Sequence, residues 1–528
     1  MRKLLIKVLL IALALGGLFV WLRSDASVLA GSTALGMDDI EGYLPAAAQN
    51  PAPFNLLEAA NVDMVRVALP FNQVATAPGA FTWEFQSDAG HVDYGLLFDR
   101  LVRRGIKPIV VLSGGPSFAN HLYPQQPVFQ DDLLIQWEGF IRAAVQEFGD
   151  QVHYWQIGSK INDPMEWGQV LFPNAQEPSA PPNPALYGEM LEVAYGVIKS
   201  NSAADTVLLG GLTLGGDCAF HPFVYLQALS DLDVWYAFDI VNIEVPILHG
   251  TPESAQIDAC GYAPVQESGI PAADALSAVK DSLKEFGKKP IWTHGLAFSS
   301  ESLAAAASER ATIPEVVESD YMARSSGLLL AYGNVDRVFW RFNPSAGQPS
   351  ALALQTYANL NGSLTGDFRD SLIGENLRIL HFRGNGGLSV IAWRQSGGDA
   401  VQAVVVPDVA DFKLRAYSAD AASLKVKDGL PLSVDAGGDT ALLVGERPVI
   451  IRGRPDGLQQ SFTLFLRDSA AQAGKGLKAK FSSWAGAQKA KAADKVGMWV
   501  EEQQKSLMDM LRDSFNQWLR KNLGLAKG

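Results

Sequence analysis

The sequence predicts an α/β protein in three parts: a (β/α)8 barrel, a small antiparallel β-sandwich and a C-terminal amphipathic helical tail. Between residues 31 and 345, short apolar runs rich in β-formers alternate with helical patterns, which is typical of a barrel of parallel strands. Between residues 346 and 455 the apolar runs are short, are punctuated by Gly and Asp, and are not separated by long helical patterns. Residues 456–528 are rich in Ala, Lys and Gln, with apolar residues at helical spacing.

The first 30 residues have the pattern of an export signal. A basic start with Lys7 is followed by an apolar run from Val8 to Leu22, and a polar segment beginning at Arg23 closes the run. This pattern predicts either a cleaved signal peptide or a retained signal anchor; a buried core helix is the third interpretation. Both export interpretations place the body of the protein on the periplasmic or extracellular side, with the basic residues left inside.

Eight candidate strands make up the predicted barrel. Each is a short apolar run bounded by turn residues or by a helical pattern. They are Thr33–Gly36, Met64–Val67, Pro108–Leu112, His153–Ile157, Thr206–Leu209, Ile240–Ile243, Pro290–Thr293 and Arg337–Trp340. Helices are predicted between them, among others at Tyr94–Arg104, Leu133–Phe148, Pro184–Ser200 and Ala272–Phe286.

The residue pattern changes twice in the C-terminal third of the chain, first to short strands and then to a helical pattern. Six short strands are predicted for the sandwich, at Leu388–Trp393, Ala403–Val406, Leu414–Tyr417, Leu424–Val426, Ala441–Val444 and Pro448–Ile451. In the tail, residues 496–519 form a basic amphipathic pattern, which predicts a helix that lies on an anionic membrane surface or binds a protein partner. The alternative is that its apolar face packs on the protein's own body.

Net charge argues against nucleic acid as a partner. The 528 residues carry a formal net charge of −13. From Ile451 to Gly528 there are 14 basic and 7 acidic residues, a net charge of +7, so the rest of the chain carries −20. A body with this negative charge repels a polyanion such as nucleic acid. The tail differs from it, because its net charge is positive.

The two cysteines, Cys218 and Cys260, are open to two interpretations. In an exported protein they are candidates for one disulfide, and the alternative is two unpaired small core residues. Their spacing does not indicate a metal site, and no His-Glu-x-x-His pattern occurs in the sequence. We therefore predict neither a metal nor a cofactor.

Several segments in the right order resemble clan-A glycoside hydrolases, particularly families 39 and 5. Tyr154–Asn162 resembles the strand-4 signature that ends in Asn-Glu-Pro-Asn, and Pro290–Gly295 resembles the strand-7 motif Pro-Ile-Trp-x-Thr-Glu. Val62–Val67, Gly79–Trp83 and Val338–Trp340 resemble strand 2, its following loop and strand 8. The resemblance implies a barrel followed by a β-domain and an active site at the C-terminal ends of strands 4 and 7.

The positions that carry catalysis in the family are substituted here. Retaining glycosidases use two carboxyl groups about 5–5.5 Å apart, one as nucleophile and one as acid/base. By the resemblance, the acid/base position is Lys160 and the nucleophile position is Gly295. The Asn that contacts the sugar is Ser159, and the strand-6 helper motif reads Glu244-Val245-Pro246. We therefore predict no catalytic residue at the family's own positions.

Other acidic residues are candidate substitutes for the lost pair. Glu244 and Asp217 are the foremost, with Asp163 and Glu166 just past Lys160. We expect instead that Glu244 and Lys160 neutralise one another, because an unpaired buried charge is costly. His294 and His249 are alternative bases or ligands, although a satisfied pocket histidine is the simpler interpretation.

The resemblance also implies a set of substrate-binding residues. Aromatic faces stack on sugar C–H surfaces, and arginine supplies paired hydrogen bonds. The alternative for each aromatic residue is core packing at a strand end. The predicted set is Arg66, Phe71, Phe118, His121, Trp155, Ser159, Lys160, His294 and Trp340.

Three hypotheses follow for function. The first is an exported, membrane-associated and catalytically deficient glycosidase-like protein that binds or guides a polysaccharide, with an exopolysaccharide as a candidate. The second is an active glycosidase with relocated carboxylates. The third is a scaffold with a closed cleft whose tail recruits a partner enzyme. The link from fold to polysaccharide is an analogy.

Overall fold

A computed structural model supplies the structure of the protein. It describes residues 35–39, 42–88, 90–114, 130–167, 181–215, 218–254, 257, 271–333, 335–341, 350–360, 364, 367–373, 376–384, 387–395, 402–406, 412–418, 430–432 and 440–455. The export signal and the helical tail lie outside these residues, so both stay predictions. Among the helices of the described residues, none combines the length and apolar character needed to cross a membrane.

The first part of the molecule is built on a curled parallel sheet. Its strands, together with those of two small hairpins, are in chain order β1 (Leu35–Asp39), β2 (Met64–Pro70), β3 (Ala75–Ala77), β4 (Ala80–Phe81), β5 (Glu84–Ser87), β6 (Gly90–Asp93), β7 (Lys107–Ser113), β8 (Tyr154–Ile157), β9 (Thr206–Leu208), β10 (Leu212–Thr213), β11 (Val241–Glu244), β12 (Ile291–Leu296) and β13 (Arg337–Arg341).

The helices follow the strands around the outside of this sheet. They are α1 (Tyr43–Ala46), α2 (Ala52–Ala59), α3 (Phe71–Val74), α4 (Tyr94–Val102), α5 (Gln130–Phe148), α6 (Pro164–Trp167), α7 (Pro184–Asn201), α8 (Pro222–Asp231), α9 (Pro271–Phe286), α10 (Ser300–Glu309), α11 (Pro314–Ala331) and α12 (Ala351–Leu360). Short 3₁₀ turns occur at Cys218–Phe220 and Val234–Ala237.

The sheet is a barrel of eight strand positions. The nine strands follow the order β10-β11-β12-β13-β1-β2-β7-β8-β9. The two end strands, β9 and β10, are consecutive pieces of one strand position, and a parallel bridge between Leu208 and Ile240 joins β9 to the start of β11. The predicted (β/α)8 barrel is therefore confirmed.

Side chains alternate between the two faces of each barrel strand, and this alternation places the site. Near the N-terminal ends, Met64, Ile109, Leu208, Ile240 and Phe339 form a small apolar cluster inside the barrel. The intervening residues pack outward against the helices in the main core. Because the side-chain period of a strand is two, polar residues further along the same strands also face inward. Their side chains meet at the C-terminal end of the barrel, where TIM-barrel active sites lie.

The second part is antiparallel. Its strands are β14 (Asp367–Ile373), β15 (Leu377–Gly384), β16 (Gly387–Arg394), β17 (Gln402–Val406), β18 (Phe412–Ser418), β19 (Leu430–Leu432), β20 (Thr440–Val444) and β21 (Val449–Pro455). A six-stranded sheet runs β14-β15-β16-β21-β18-β19, and β17 pairs with β20. This confirms the predicted β-sandwich class. The sequence missed β14, β15 and β19, and the predicted strand at Leu424–Val426 lies outside the described residues.

Buried charges join the second part to α11 of the barrel. Arg324 of α11 forms an ion pair with Glu253, which also accepts a hydrogen bond of 2.9 Å from Trp393 Nε1 on β16. Arg310 pairs with Asp320 of α11, and Arg447 lies 3.6 Å from the same carboxylate. The contact between the barrel and the antiparallel part therefore contains charged side chains that are paired with one another.

Candidate functional site

Arg66 on β2 is the centre of a polar network inside the barrel. Its side chain is 1% exposed, and its Nη1 lies 2.8 Å from Asp38 Oδ1 on β1. Its Nε donates to Gln156 Oε1 on β8 at 2.8 Å, and its Nη2 donates to Ser159 Oγ at 3.2 Å. Asp38 and Gln156 each lie one residue before the end of their strands, and Ser159 lies just past β8, so the guanidinium on β2 connects three strand positions.

Amide side chains extend the network. Asn242 Nδ2 on β11 donates to Gln156 Oε1 at 2.6 Å, and Gln156 Nε2 donates to the backbone oxygen of Gly158 at 2.7 Å. Gln156 and Asn242 are both buried. Their hydrogen-bonding groups are used within the protein, which holds the turn after β8 in place.

Glu244 at the end of β11 is held by an arginine from β13. Arg341 Nη2 donates to Glu244 Oε1 at 3.0 Å, and Ser159 Oγ lies 3.4 Å from Glu244 Oε2. The side chains of Glu244 and Arg341 are only 5% and 9% exposed. The expected pair of Glu244 with Lys160 is therefore wrong, because Arg341 already supplies the compensating charge.

His294 on β12 lies between the two carboxylates. Its Nδ1 is 3.7 Å from Asp38 Oδ2 and 3.9 Å from Glu244 Oε2, and the side chain is fully buried. Among the described residues neither ring nitrogen has a hydrogen-bond partner. Burial lowers the pKa of His294, as does the nearby Arg66 charge, against the opposing effect of the two carboxylates. The ring is therefore neutral near pH 7.

The charges of the network balance. Burial alone would raise the pKa of Asp38, but the Arg66 guanidinium, His294 and Arg341 hold this pKa well below its usual range. Asp38 is thus ionised, and two carboxylates face two guanidiniums around a neutral imidazole. Because each carboxylate already accepts hydrogen bonds from an arginine, the network does not offer a metal ion a free set of ligands.

Gly295 is required at its position by both conformation and space. Its φ of 79° lies in the left-handed region. A Cβ there would come within 2.8 Å of the Val245 oxygen and 3.1 Å of Glu244 Cγ. Its N–H donates to Asp38 Oδ2 at 3.0 Å. The predicted nucleophile position is thus part of the packed network, with no room for a side chain.

Lys160 lies at the rim rather than in the network. It has a φ of 48° in the turn after β8. Its side chain is 37% exposed, and its Nζ lies 3.6 Å from Glu166 Oε1 on α6. The turn directs Lys160 toward the short helix that follows, and Glu166, 55% exposed, is its partner.

Three predicted substrate-binding aromatics are core residues, so these predictions are wrong. Trp155 is fully buried and donates from Nε1 to Asp205 Oδ2 at 3.1 Å. Phe71 is fully buried and packs on other rings of the core. Trp340 is 2% exposed and packs near Phe298 on the helical side of β13. Trp155 and Trp340 alternate with inward-facing Gln156 and Arg341, and this alternation turns them outward.

The remaining predictions divide in two. Arg66, Ser159, His294 and Glu244 do come together at the C-terminal end of the barrel. Phe118, His121 and Asp217 lie outside the described residues, as does Cys260, so their predicted roles and the disulfide stay predictions.

Sequence reasoning missed four members of the network: Asp38, Gln156, Asn242 and Arg341. Each sits at an inward position of a short barrel strand, next to apolar residues that face outward. A polar residue in such a run was the available signal, since buried polar groups need partners. The resemblance drew attention to the family's catalytic positions instead.

The fold is similar to those of solved glycoside hydrolases. A family 39 glycoside hydrolase from the gut symbiont Bacteroides cellulosilyticus WH2 is 18% identical, with a TM-score of 0.57 over 80% of this chain and 81% of that one. The bifunctional glucanase-xylanase CelM2 from a metagenome library is 10% identical, with a TM-score of 0.53 over 77% and 96%. A GH30 endoxylanase from Clostridium papyrosolvens C71 is 11% identical, with a TM-score of 0.50 over 80% and 98%.

The chain has a glycoside hydrolase fold. The expected resemblance to clan-A enzymes is confirmed at this level, across most of the barrel and the following β-domain. No protein-family model and no curated protein matches the sequence. At these identities the likeness establishes the architecture, and function has to be argued from the site.

Proposed function

We propose that the protein binds an oligosaccharide or polysaccharide without hydrolysing it. The observation that carries the loss of hydrolysis is the packing around Gly295. Glycosidases need a carboxylate pair across the scissile bond. At Gly295 a side chain of any kind would meet the Val245 oxygen at 2.8 Å, so a carboxylate cannot be accommodated without moving the strand.

The proton donor is also lost. Lys160 occupies the position of the acid/base, and a lysine protonates a leaving oxygen near neutral pH only if burial lowers its pKa by several units. Lys160 is 37% exposed and lies beside Glu166. Asp38 cannot replace it as an acid, because Arg66 and its other neighbours hold its pKa low.

Binding is supported by the fold and by the polar rim of the barrel. Ligands of TIM barrels bind at the C-terminal face, where Ser159 and Lys160 are partly exposed and Glu166 is exposed. The similar structures include a glucanase-xylanase and an endoxylanase, whose names place glucan and xylan among the substrates of proteins with this fold. Xylan and β-glucan are therefore the first ligands to test.

The decisive experiment measures retention and hydrolysis together. The full chain is incubated with insoluble xylan and β-glucan and with an exopolysaccharide preparation, and bound protein and released reducing sugar are both measured. We expect retention without sugar release, and weaker retention for Lys160→Ala. Lys107→Ala is the matched control, because Lys107 is exposed at the opposite end of the barrel on β7. Failure to bind any of these glycans would sink the proposal.

One observation favours a second candidate, an active enzyme with relocated carboxylates. Because Asp38 Oδ2 and Glu244 Oε2 lie 3.7 and 3.9 Å from the same nitrogen of His294, the two oxygens are no more than about 8 Å apart, which does not exceed the carboxyl separations of about 6.5–9.5 Å in inverting glycosidases. Against it, both carboxylates are buried and paired with arginine. Sugar release that disappears on Glu244→Gln would establish this alternative.

We also propose export and membrane association. The support is the basic start and apolar run of residues 1–30 and the basic amphipathic pattern of residues 496–519. Fractionation of cells that express the full chain tests this proposal, with removal of residues 1–30 as the control. Recovery of the intact chain from the cytoplasm would contradict it. A partner enzyme captured through residues 496–519 would instead favour the scaffold hypothesis.

A further inference from the structure

The hairpin of β5 and β6 carries four polar side chains on one face. It belongs to the segment between β2 and α4, on the same end of the barrel as the polar network. Its register pairs Glu84 with Asp93 and Gln86 with His91. The alternate residues Phe85 and Val92 pack toward the core. The polar face is therefore turned away from the core, and its four side chains are cross-strand neighbours.

Like charges oppose each other on this face. Glu84 and Asp93 are directly paired in the ladder, and two carboxylates at such a position destabilise a hairpin. A bound cation would convert this repulsion into attraction. An imidazole nitrogen lies beside these carboxylates, since His91 Nε2 is 3.1 Å from Glu84 Oε1.

The three side chains present their ligand atoms to one point. One atom from each of Glu84, His91 and Asp93 lies within 4.8 Å of the other two. With metal–ligand bonds of about 2.0–2.2 Å, two ligand atoms on one ion lie at most about 4.4 Å apart, so small side-chain rotations are enough to bring the three atoms onto an ion. His91 is 31% exposed and Glu84 is 66% exposed, so an ion can enter without opening the fold.

The histidine and one carboxylate are held in place by further contacts. The Gln86 side-chain amide lies 3.0 Å from His91 Nδ1. The amide nitrogen is the atom that lies against Nδ1. Turning the amide over exchanges its nitrogen and oxygen, so that Gln86 Oε1 accepts a hydrogen bond from Nδ1–H and His91 Nε2 is free to coordinate an ion, the arrangement found behind metal-bound histidines. Asp93 Oδ1 caps α4 by accepting from the Leu96 N–H at 2.8 Å. Its backbone position is thereby anchored at the start of a helix.

We propose that Glu84, His91 and Asp93 bind a divalent first-row metal ion, with Zn²⁺ as the best fit. One imidazole and two carboxylates suit zinc better than calcium or magnesium, which prefer all-oxygen sites. Three protein ligands leave a coordination position for water. In the proposed site, His91 coordinates through Nε2, and its Nδ1–H donates to Gln86 Oε1 once the amide has turned over.

The test is Zn²⁺ titration of the full chain after treatment with chelator, followed by calorimetry. We expect one Zn²⁺ per chain at this site and a rise in the unfolding temperature. His91→Gln and Glu84→Gln should each abolish this binding, and Asp93→Asn, which keeps the helix cap, should weaken it. Gln86→Ala should weaken binding by about 10–100-fold, because it supports the ligand without touching the ion.

His249→Gln is the matched control, since His249 is exposed and lies outside the cluster. It should bind Zn²⁺ like the unaltered protein. Unfolding of each variant without metal shows whether the hairpin variants fold, and Co²⁺ absorption reports histidine ligation independently of affinity. Zn²⁺ binding of equal affinity and stoichiometry in His91→Gln, or no binding by the unaltered chain, overturns the proposal.

Discussion

Arg341 Nη2 lies 3.0 Å from Glu244 Oε1, although the two residues belong to strands separated by β12. The bond crosses the C-terminal end of the barrel above His294. It explains how an acidic residue is accommodated in the buried position at the end of β11. Glu244 is one half of a buried pair, and its partner decides its chemistry.

Replacing Arg341 should therefore lower the free energy of unfolding. Arg341→Met leaves Glu244 buried without its guanidinium, and we expect a loss of about 3–5 kcal/mol in the free energy of unfolding. Urea denaturation measures it. The double variant Arg341→Met with Glu244→Gln should lose markedly less than the single variant, because no buried charge is left unpaired. A double variant as unstable as the single would contradict this account of the pair.

Gly295 should be intolerant of any side chain. Gly295→Ala places a Cβ against the Val245 oxygen at a positive φ, and we expect a loss of about 1–3 kcal/mol. Gly139→Ala is the matched control, because Gly139 lies within α5 and a Cβ there would have nothing within 4 Å. The control should be neutral or gain about 0.4–1 kcal/mol. Equal effects of the two substitutions in urea denaturation would argue against the packing at Gly295.

Acid should weaken the fold through His294 first. Its folded pKa lies below the unfolded value, so as pH falls through about 6.5 the unfolded chain takes up a proton before the native state does. The stability is complete above this pH and declines below it. We expect His294→Gln to show a flatter dependence of the urea midpoint between about pH 7 and 5 than the unaltered chain. His249→Gln, an exposed control, should keep the original slope.

Asp38 should act in a lower pH window. Its folded pKa lies below the unfolded value of about 3.9, so its contribution is complete above that pH and is lost as pH falls further. Asp38→Asn should be less stable than the unaltered chain at pH 7, and the difference should narrow toward pH 3, because the unfolded chain then takes up a proton on Asp38 that the native state does not. A constant difference across this range would contradict the ion pair with Arg66.

Core and rim substitutions should separate stability from glycan retention. Trp340→Phe removes part of a buried ring and should lower the unfolding free energy by about 1–3 kcal/mol while leaving retention unchanged. Lys160→Ala should reduce retention with little effect on stability, because its pair with Glu166 is exposed. Paired retention and denaturation measurements check both. Loss of retention in Trp340→Phe at full stability would return that residue to the ligand site.

Much of the barrel could be predicted because its information is local. The runs at Met64–Val67 and Arg337–Trp340 became β2 and β13 with shifts of at most a few residues at their ends. The helix predicted at Pro184–Ser200 became Pro184–Asn201. Hydrophobic periodicity and the residues that begin and end helices are patterns of a few neighbouring residues, so the sequence alone is enough to recognise them.

The site could be predicted only in part. The resemblance led to Arg66, Ser159 and Glu244, which the barrel does bring together, and to Trp155 and Trp340, which it does not. The sequence marks a tryptophan near a strand end, but the face to which it points depends on the register of the whole strand in the barrel. Successive residues of a strand point to opposite faces of the sheet, so a shift of one residue decides whether a side chain faces the interior of the barrel or packs in the core under the helices.

The sequence by itself determined the barrel and the sandwich class, since these follow from residue types and short-range pattern. The tertiary structure alone decided which charges meet. Three of these charged residues lie far apart in the chain: Asp38, Glu244 and Arg341. Their side chains come together at one end of the barrel only because the closed sheet directs alternate side chains inward. Lys160, in the turn after β8, pairs with Glu166 instead, because its left-handed backbone conformation directs its side chain to the rim of the barrel.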